Sequence, residues 1–429
     1  FLEQNQITVL SPYRPENLHP APDVIVIGNA ISRGNPELEA ALERKLRYFS
    51  LPETLKEFCL RGKHNLVVTG THGKTTTSSM LAWVFEATGR NPGYMIGGIP
   101  RNLQAGARLG GQKYFIIEGD EYDTAFFDKR SKFLNYLPEL LIINNIEFDH
   151  ADIFSSLQEI QRSFRQLVNI VPRNGMILVN ADDPNSLDVV RKAFAPVLEV
   201  GFSPNAGMRI ADVHFAGSET RFKLLDHAFT LPMLGEHNVR NAAMAIAAAH
   251  FYQIPIPEIA DAIGRFEGVK RRQEVRGEVA GVTIIDDFGH HPTAIKETLE
   301  ALRHRYRDQR IWAIFEPRSN TTRRAVFQKE LAECFEEADI VCMSQIARPD
   351  QLPVNDRLNP EKVIATIQSR GKSAYYLPGV EEIVQRVKSD AKSKDVVVVF
   401  SNGGFGGIHE KLLSALSAGR PPLPTAARV

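Results

Sequence analysis

Cysteine is scarce: the 429 residues contain three, Cys59, Cys334 and Cys342. They form no Cys-x-x-Cys pair and no metal-finger spacing, which excludes a disulfide framework. They read instead as small buried residues of a reducing compartment. Net charge is absent too, with 51 Lys and Arg against 51 Asp and Glu. Nothing therefore points to a general nucleic-acid or anionic-membrane partner. Long apolar runs are missing. The longest, such as VVVVF at 396–400, have the length of a strand and fall far short of a membrane span. No signal-peptide pattern opens the chain, and the expected compartment is the cytoplasm. The sequence starts at Phe1 without a complete first unit, so further N-terminal residues are expected ahead of it. There is no tandem repeat and no low-complexity linker; a loose Pro-rich tail is expected from Pro421. A chain of this length has room for two or three domains, each with its own core.

What is present is organised around 66–79, LVVTGTHGKTTTSS. An apolar strand (Leu66, Val67, Val68) ends at Gly70, a tight turn follows, and Lys74 with three threonines leads into helix-forming residues. Strand, glycine loop, lysine, threonine and helix make the layout of a phosphate-binding loop. Gly70 and Gly73 let the backbone turn its N–H groups toward a phosphate, and the helix adds its positive end. Lys74, at the end of a solvent-facing loop, supplies a point charge, and the Thr75 hydroxyl suits Mg²⁺. Gly70, Thr71, His72, Gly73, Lys74, Thr75 and Thr76 are thus the candidate triphosphate-binding set. The stricter G-x-x-x-x-G-K-[ST] pattern would need glycine where Val68 stands. An ordinary strand-to-helix turn is the bland alternative.

Three segments are expected. In 1–63, strands at 24–28 and 48–50 alternate with helices at 35–47 and 52–60 as a partial α/β unit, with Asn35 as N-cap and Pro36 at the first helical position. The segment 64–272 holds the phosphate loop and strands at 114–118 and 140–144. More β character follows through 176–180, 199–202 and 221–225, then an alanine-rich helix at 238–251. In 273–429, strands at 282–286, 311–315, 340–343, 373–376 and 396–400 alternate with helices at 292–303, 323–336, 360–369, 380–391 and 406–418. The fold class is α/β, with parallel sheets covered on both faces and a Rossmann-like last domain.

Ligands of open α/β sheets sit beyond the carboxyl ends of the strands. At such ends stand the phosphate loop, the acidic cluster Glu118, Asp120, Glu121 and Asp123, and the stretch 145–150. Glu118 is the candidate magnesium ligand, because a phosphate loop needs a magnesium partner; a solvated acidic loop is the alternative. His150, by chemistry alone, reads as a satisfied buried histidine. Asn238 and Asn241 share a helix face. Asn238 reads equally as N-cap, whereas the Asn241 amide suits an adenine edge. The basic run 270–272, at a boundary between two nucleotide-sized domains, is either a solvated corner or a reach toward a phosphate from the far side. In DDFGHHP at 286–292, an acidic residue at a strand end suits ribose hydroxyls. The histidine pair there has no third ligand nearby, so a structural zinc site is not expected. Arg318, beyond the strand 311–315, is a candidate cation fork for substrate carboxylates or a solvated loop residue. His290 and Asn402 complete the candidate substrate-binding residues, the latter opening a glycine loop that is a weak signal by itself.

Together these residues resemble the Mur ligase family, the ATP-dependent amide-forming enzymes of bacterial peptidoglycan synthesis. The likeness runs through TGTHGKTTT at 69–77, EGDEYD at 118–123, NNIEFDH at 144–150, GEHNVRN at 235–241, RR at 271–272 and DDFGHHP at 286–292. The loop histidine and DDFGHHP point to the branch acting on UDP-N-acetylmuramate. AFFDKRSKF at 125–133, FDHADIF at 148–154, EPRSNT at 316–321 and SNGGFGGIH at 401–409 resemble the members that recycle cell-wall peptide.

The resemblance implies a three-domain Mur ligase architecture: a partial UDP-sugar-binding domain (1–63), a central P-loop ATPase domain (64–272) and a C-terminal amine-binding, Rossmann-like domain (273–429). It implies Lys74 on the β/γ-phosphates, Thr75 and Glu118 on one Mg²⁺, and Glu118 with His150 on a second, making Lys74, Glu118 and His150 the catalytic set. Asn238 and Asn241 would face adenine, Arg272 the phosphates and Asp287 the ribose. The family's first strand and glycine turn, which hold the UDP diphosphate, have no counterpart in this sequence. The implied reaction joins L-Ala-γ-D-Glu-meso-diaminopimelate to UDP-N-acetylmuramate through an acyl phosphate, with no nucleic-acid or membrane partner. Three alternatives stay open: L-alanine ligation by the same chemistry, a non-catalytic ATP-binding regulatory partner, and a dinucleotide-dependent oxidoreductase suggested by the last domain alone.

Overall fold

Apolar on both faces, β1 (His64–Thr69) needs cover above and below, and that need sets the layers of the central domain. In the computed structural model, which describes residues 2 and 5–417, β1 belongs to an eight-stranded sheet. It lies between β2 (Tyr114–Glu118) and β3 (Leu140–Ile143), both parallel to it, so three strands end side by side. The period of two in a strand sorts their side chains. Leu66, Val68, Ile116 and Ile142 pack under α1 (Lys74–Ala87) and α2 (Glu236–Phe251). Val67, Ile117, Leu141 and Ile143 face the helix Leu157–Asn169 on the other side. Each such buried side chain contributes about 1.5–3 kcal/mol over exposure. The alanine run of α2 is wholly buried, and its small side chains let α1 approach closely. The β character expected after 176 resolves into sheet strands and a separate antiparallel sheet, Ala211–Ala216, Glu219–Leu224 and His227–Leu231.

Among the described residues, the sheet of the C-terminal domain has six strands. An antiparallel edge strand, Glu274–Val279, pairs with β4 (Val282–Asp287), followed in space by β6 (Val396–Phe400), β5 (Ile311–Phe315), Ile340–Met343 and Ser373–Tyr376, all parallel. The helix α3 (Pro292–Arg305) covers one face. The Rossmann-like expectation holds, with the antiparallel edge added. The first segment is a two-stranded parallel sheet, Ile25–Ile27 with Tyr48–Ser50, and the helix Pro36–Glu43. The Asn35 side chain accepts the Glu37 and Leu38 N–H groups as expected of an N-cap.

Three expected helices differ. That at 35–47 stops at Glu43, because Lys45 turns to φ +53° and the Leu46 N–H closes on the Ala41 carbonyl. That at 52–60 is Leu51–Leu55 followed by a wide π turn, Lys56–Leu60. The largest difference is 323–336, where only Glu330–Glu333 is α-helical. Arg324 is extended and bridges Arg357, while the buried Arg323 guanidinium donates to the Ala347 and Arg348 carbonyls. Tertiary anchoring of that loop overrides local helix preference. The expected tail from Pro421 and the final residue of the helix expected at 406–418 lie outside the described residues. No helix among the described residues is long and apolar enough to cross a membrane.

Candidate active site

The loop after β1 is sewn to the segment after β3. The Thr71 N–H donates to the Asn145 carbonyl (3.0 Å), the His72 N–H to Asn145 Oδ1 (2.8 Å) and the Glu147 N–H to Thr71 Oγ1 (2.9 Å). Gly73 sits at φ +77°, and a Cβ there would strike the Asn241 amide. No side chain caps the N-terminus of α1, which leaves its first-turn N–H groups for a ligand.

Glu121 organises the charge around this loop. Its carboxylate accepts from Lys74 Nζ (2.9 Å) and pairs with His150 Nε2 (2.9 Å), with its own side chain 3% exposed. Lys74 also donates to the Gly70 carbonyl (2.6 Å), and its side chain is 14% exposed. The lysine is thus buried and paired, where a solvent-facing loop end was expected. Burial alone would lower the Lys74 pKa, but the Glu121, Asp120 and Glu118 carboxylates outweigh it and hold the ammonium above its ordinary value. Burial would likewise raise Glu121, yet Lys74 and His150 bring it down to about 2. The same pairing raises His150 against the effect of burial. His150 therefore rests on Glu121, whereas Glu118 accepts from Thr75 Oγ1 (3.0 Å) and the Gly97 N–H (2.8 Å). Asp120 and Asp123 pair with Lys132 and Lys129. Sequence reasoning named the acidic cluster but missed the role of Glu121, since four carboxylates in six residues give no signal of which turns inward.

The C-terminal domain supplies the opposite wall. Asp287, buried, accepts the Gln273 N–H (2.8 Å) and the Gly289 N–H (2.7 Å), and burial pushes its pKa up. The Arg272 guanidinium lies 5.1 Å from the Phe288 ring centroid. Arg271 donates to the Ser401 and Gly403 carbonyls (2.7 and 2.8 Å), tying the domain linker to the glycine loop. Arg318 packs on Gly403, where a Cβ would displace it, and reaches Glu316 at 3.4 Å. Asn402 has a buried Oδ1 with no hydrogen-bond partner. His290 Nδ1 donates to the Phe288 carbonyl (3.2 Å), and burial lowers its pKa. On α2, Gly235 and not Asn238 is the N-cap; Asn238 donates to the Leu234 carbonyl (2.7 Å), and Asn241 Oδ1 accepts from Thr77 (3.1 Å). His291, but not His290, also meets Glu147 and His72 across the domain boundary, so one member of the histidine pair joins two metal-capable groups distant in sequence.

A cavity of about 1080 Å³ opens between these walls. Of the residues expected to form the site, Gly70 alone is not in its lining; Gly28 and Asn29 of the first segment join it. Residues 68–249 match the Mur ligase middle domain, 271–403 the Mur ligase glutamate ligase domain and 1–63 the Mur ligase family catalytic domain. A UDP-N-acetylmuramate–L-alanyl-gamma-D-glutamyl-meso-2,6-diaminoheptandioate ligase from Haemophilus influenzae is 42% identical over 97% of this chain and 90% of its own. The chain belongs to the Mur ligase family. Members of this family are ATP-dependent, amide-forming ligases, and the chain is an enzyme of that kind. A UDP-N-acetylmuramate–L-alanine ligase from a Sulfurihydrogenibium species is 32% identical over 94% of this chain and 86% of its own. The crystal structure of a murein peptide ligase from Psychrobacter arcticus superposes with a TM-score of 0.70 at 36% identity, covering 97% of this chain and 90% of that one.

Proposed function

We propose that this Mur ligase joins L-Ala-γ-D-Glu-meso-diaminopimelate to UDP-N-acetylmuramate with cleavage of ATP to ADP and phosphate, a step of murein recycling in the cytoplasm. The observation that carries the reading is the one cavity lined both by the phosphate loop and, from the C-terminal domain, by Arg318 and Asn402 at the start of the glycine loop. The similar Haemophilus influenzae enzyme, named for this ligation, supports it, and the three free cysteines suit a reducing compartment.

The lactyl carboxylate oxygen attacks the γ-phosphorus, the bond to the β-phosphate oxygen breaks, and ADP leaves behind an acyl phosphate. The free amine of the tripeptide then attacks the acyl carbon; collapse expels inorganic phosphate and the nitrogen sheds its proton. Lys74 and the uncapped end of α1 neutralise the β/γ-phosphates, while Glu121 fixes the lysine. Gly70, Thr71, His72, Gly73, Thr75 and Thr76 shape the phosphate cradle. Arg272 reaches the phosphates from the domain linker, Asp287 holds that linker at the ribose, and Asn238 and Asn241 border the base. His290 and Asn402 line the amine side; the unpartnered Asn402 Oδ1 is a ready acceptor for a peptide donor. Thr75 Oγ1 and the Glu118 carboxylate, 3.0 Å apart, are hard oxygen donors that fit Mg²⁺. That ion, when bound, screens the triphosphate charge. His150 borders the same site from Glu121 and, turned toward Glu118, would serve a second ion.

Phosphate release measured with each substrate alone and with both tests the reading: release should require both. Glu118→Gln is expected to raise the Mg²⁺ concentration for half-maximal rate about 10- to 100-fold, equivalent to the roughly 1.5–3 kcal/mol of a contact to a charged group. His150→Ala should shift it less. An unchanged midpoint in Glu118→Gln would remove that carboxylate from the metal site. Arg318→Ala should raise the KM for the tripeptide about tenfold or more with kcat little changed, on the same scale of charged contacts. Steady-state kinetics with varied tripeptide checks it, and an unchanged KM would leave Arg318 a solvated loop residue.

A further inference from the structure

His72 on the phosphate loop and Glu147 beyond β3 belong to the central domain, and His291, the N-cap of α3, to the C-terminal domain. His72 Nε2 lies 3.4 Å and His291 Nδ1 3.5 Å from the same oxygen, Glu147 Oε2. One ligand atom from each residue lies within 4.8 Å of the others. As hydrogen bonds both contacts are slack, since such bonds run near 2.7–3.2 Å. As edges of a coordination polyhedron they fit: a tetrahedral cation with bonds of about 2.0–2.2 Å spaces its ligand atoms roughly 3.3–3.6 Å apart.

The surroundings prepare these groups. The Nε2–H of His291 donates to the Phe148 carbonyl (3.2 Å), which puts the lone pair on Nδ1; there it accepts the Thr293 N–H at 3.3 Å, a long bond that a cation beside Glu147 would replace. Metal-bound histidines are commonly oriented by such a bond from the second nitrogen. Thr293 Oγ1 donates to Glu147 Oε2 (2.6 Å) and orients the carboxylate. The two imidazole rings are 4.4 Å apart between centroids, inclined at 46°. Two imidazoles and one carboxylate form a zinc-type donor set, softer than the all-oxygen shells of Mg²⁺ or Ca²⁺.

We propose that His72, Glu147 and His291 bind one zinc-type divalent cation that clasps the central domain to the C-terminal domain. The site is separate from the Thr75–Glu118 oxygen pair and does not depend on which amine the enzyme joins.

Metal-stripped full chain, free of nucleotide, titrated with Co²⁺ tests it. One equivalent should give visible ligand-field absorption without the near-ultraviolet band of a cobalt–thiolate bond, and one equivalent of Zn²⁺ should displace it. His72→Gln, Glu147→Gln and His291→Gln should each weaken binding by about tenfold or more, at least the effect of losing an outer-shell partner. Zinc-edge X-ray absorption of the wild type needs no variant and should show two imidazoles with nitrogen and oxygen at about 2.0–2.1 Å. Undiminished binding in all three variants, absence of the cobalt spectrum, or sulfur at about 2.3 Å would overturn the clasp.

Discussion

Glu121→Gln should destabilise the central domain by about 3–5 kcal/mol, the range for breaking one side of a buried ion pair, and should impair turnover as well. The substitution takes the charge from a carboxylate 3% exposed and leaves Lys74 and His150 buried without their counter-ion. The pH dependence gives this a signature. Glu121 titrates at about 2 in the folded chain against an ordinary 4.5. Its contribution, about 3 kcal/mol for such a shift, is present above the ordinary value and lost as pH falls toward the folded one. His150 is raised above its ordinary 6.5, so its contribution is full below that value and lost as pH rises through the folded pKa. Both are present between about pH 5 and 6. Denaturant unfolding of wild type and variant across pH 3–8 checks this. The variant should lose stability most in that window and show a flatter acid limb. Equal stability at pH 5.5 with an unchanged acid limb would contradict the role of Glu121.

Lys74→Ala should all but abolish ligation. Losing one preorganised contact to developing charge costs about 2.7–4 kcal/mol of barrier, or roughly 10²–10³ in kcat. Lys74 neutralises the phosphates in the proposed reaction, and the end of α1 supplies only partial charge beside it. The fold should suffer less than in Glu121→Gln, because Glu121 keeps His150 as a partner. A loss of about 1–3 kcal/mol is expected from the half-paired carboxylate. Rapid-quench measurement of ADP formation, with thermal unfolding in parallel, separates the two effects. Turnover within tenfold of wild type would sink the phosphate-loop assignment.

The strands were legible because burial on two faces writes them as continuous apolar runs: Val396–Phe400 and Ile311–Phe315 stand where the sequence places them. Positions at strand ends were legible for the same reason, which is why Glu118, Asp287 and Arg318 meet in one cavity. Segments decided by distant contacts were not. Residues 323–336 read as helix, yet Arg323 and Arg324 are spent on carbonyls and Asp356 of a neighbouring loop. Glu121 is indistinguishable from its acidic neighbours until Lys74 and His150 are seen on it. The Glu147 bridge between His72 and His291 joins three stretches that only the docking of two domains brings together.

The most direct test of the proposed function is a competition between amines. Full chain, UDP-N-acetylmuramate, ATP and Mg²⁺ are incubated with equal concentrations of L-Ala-γ-D-Glu-meso-diaminopimelate and L-alanine, and the products are identified by mass. Arg318 on Gly403, the unpartnered Asn402 and the room above the glycine loop suit an amine bearing carboxylates beyond its first residue. The tripeptide product should dominate, with one phosphate released per bond formed. Preferential joining of L-alanine would contradict the account and make this chain an L-alanine ligase.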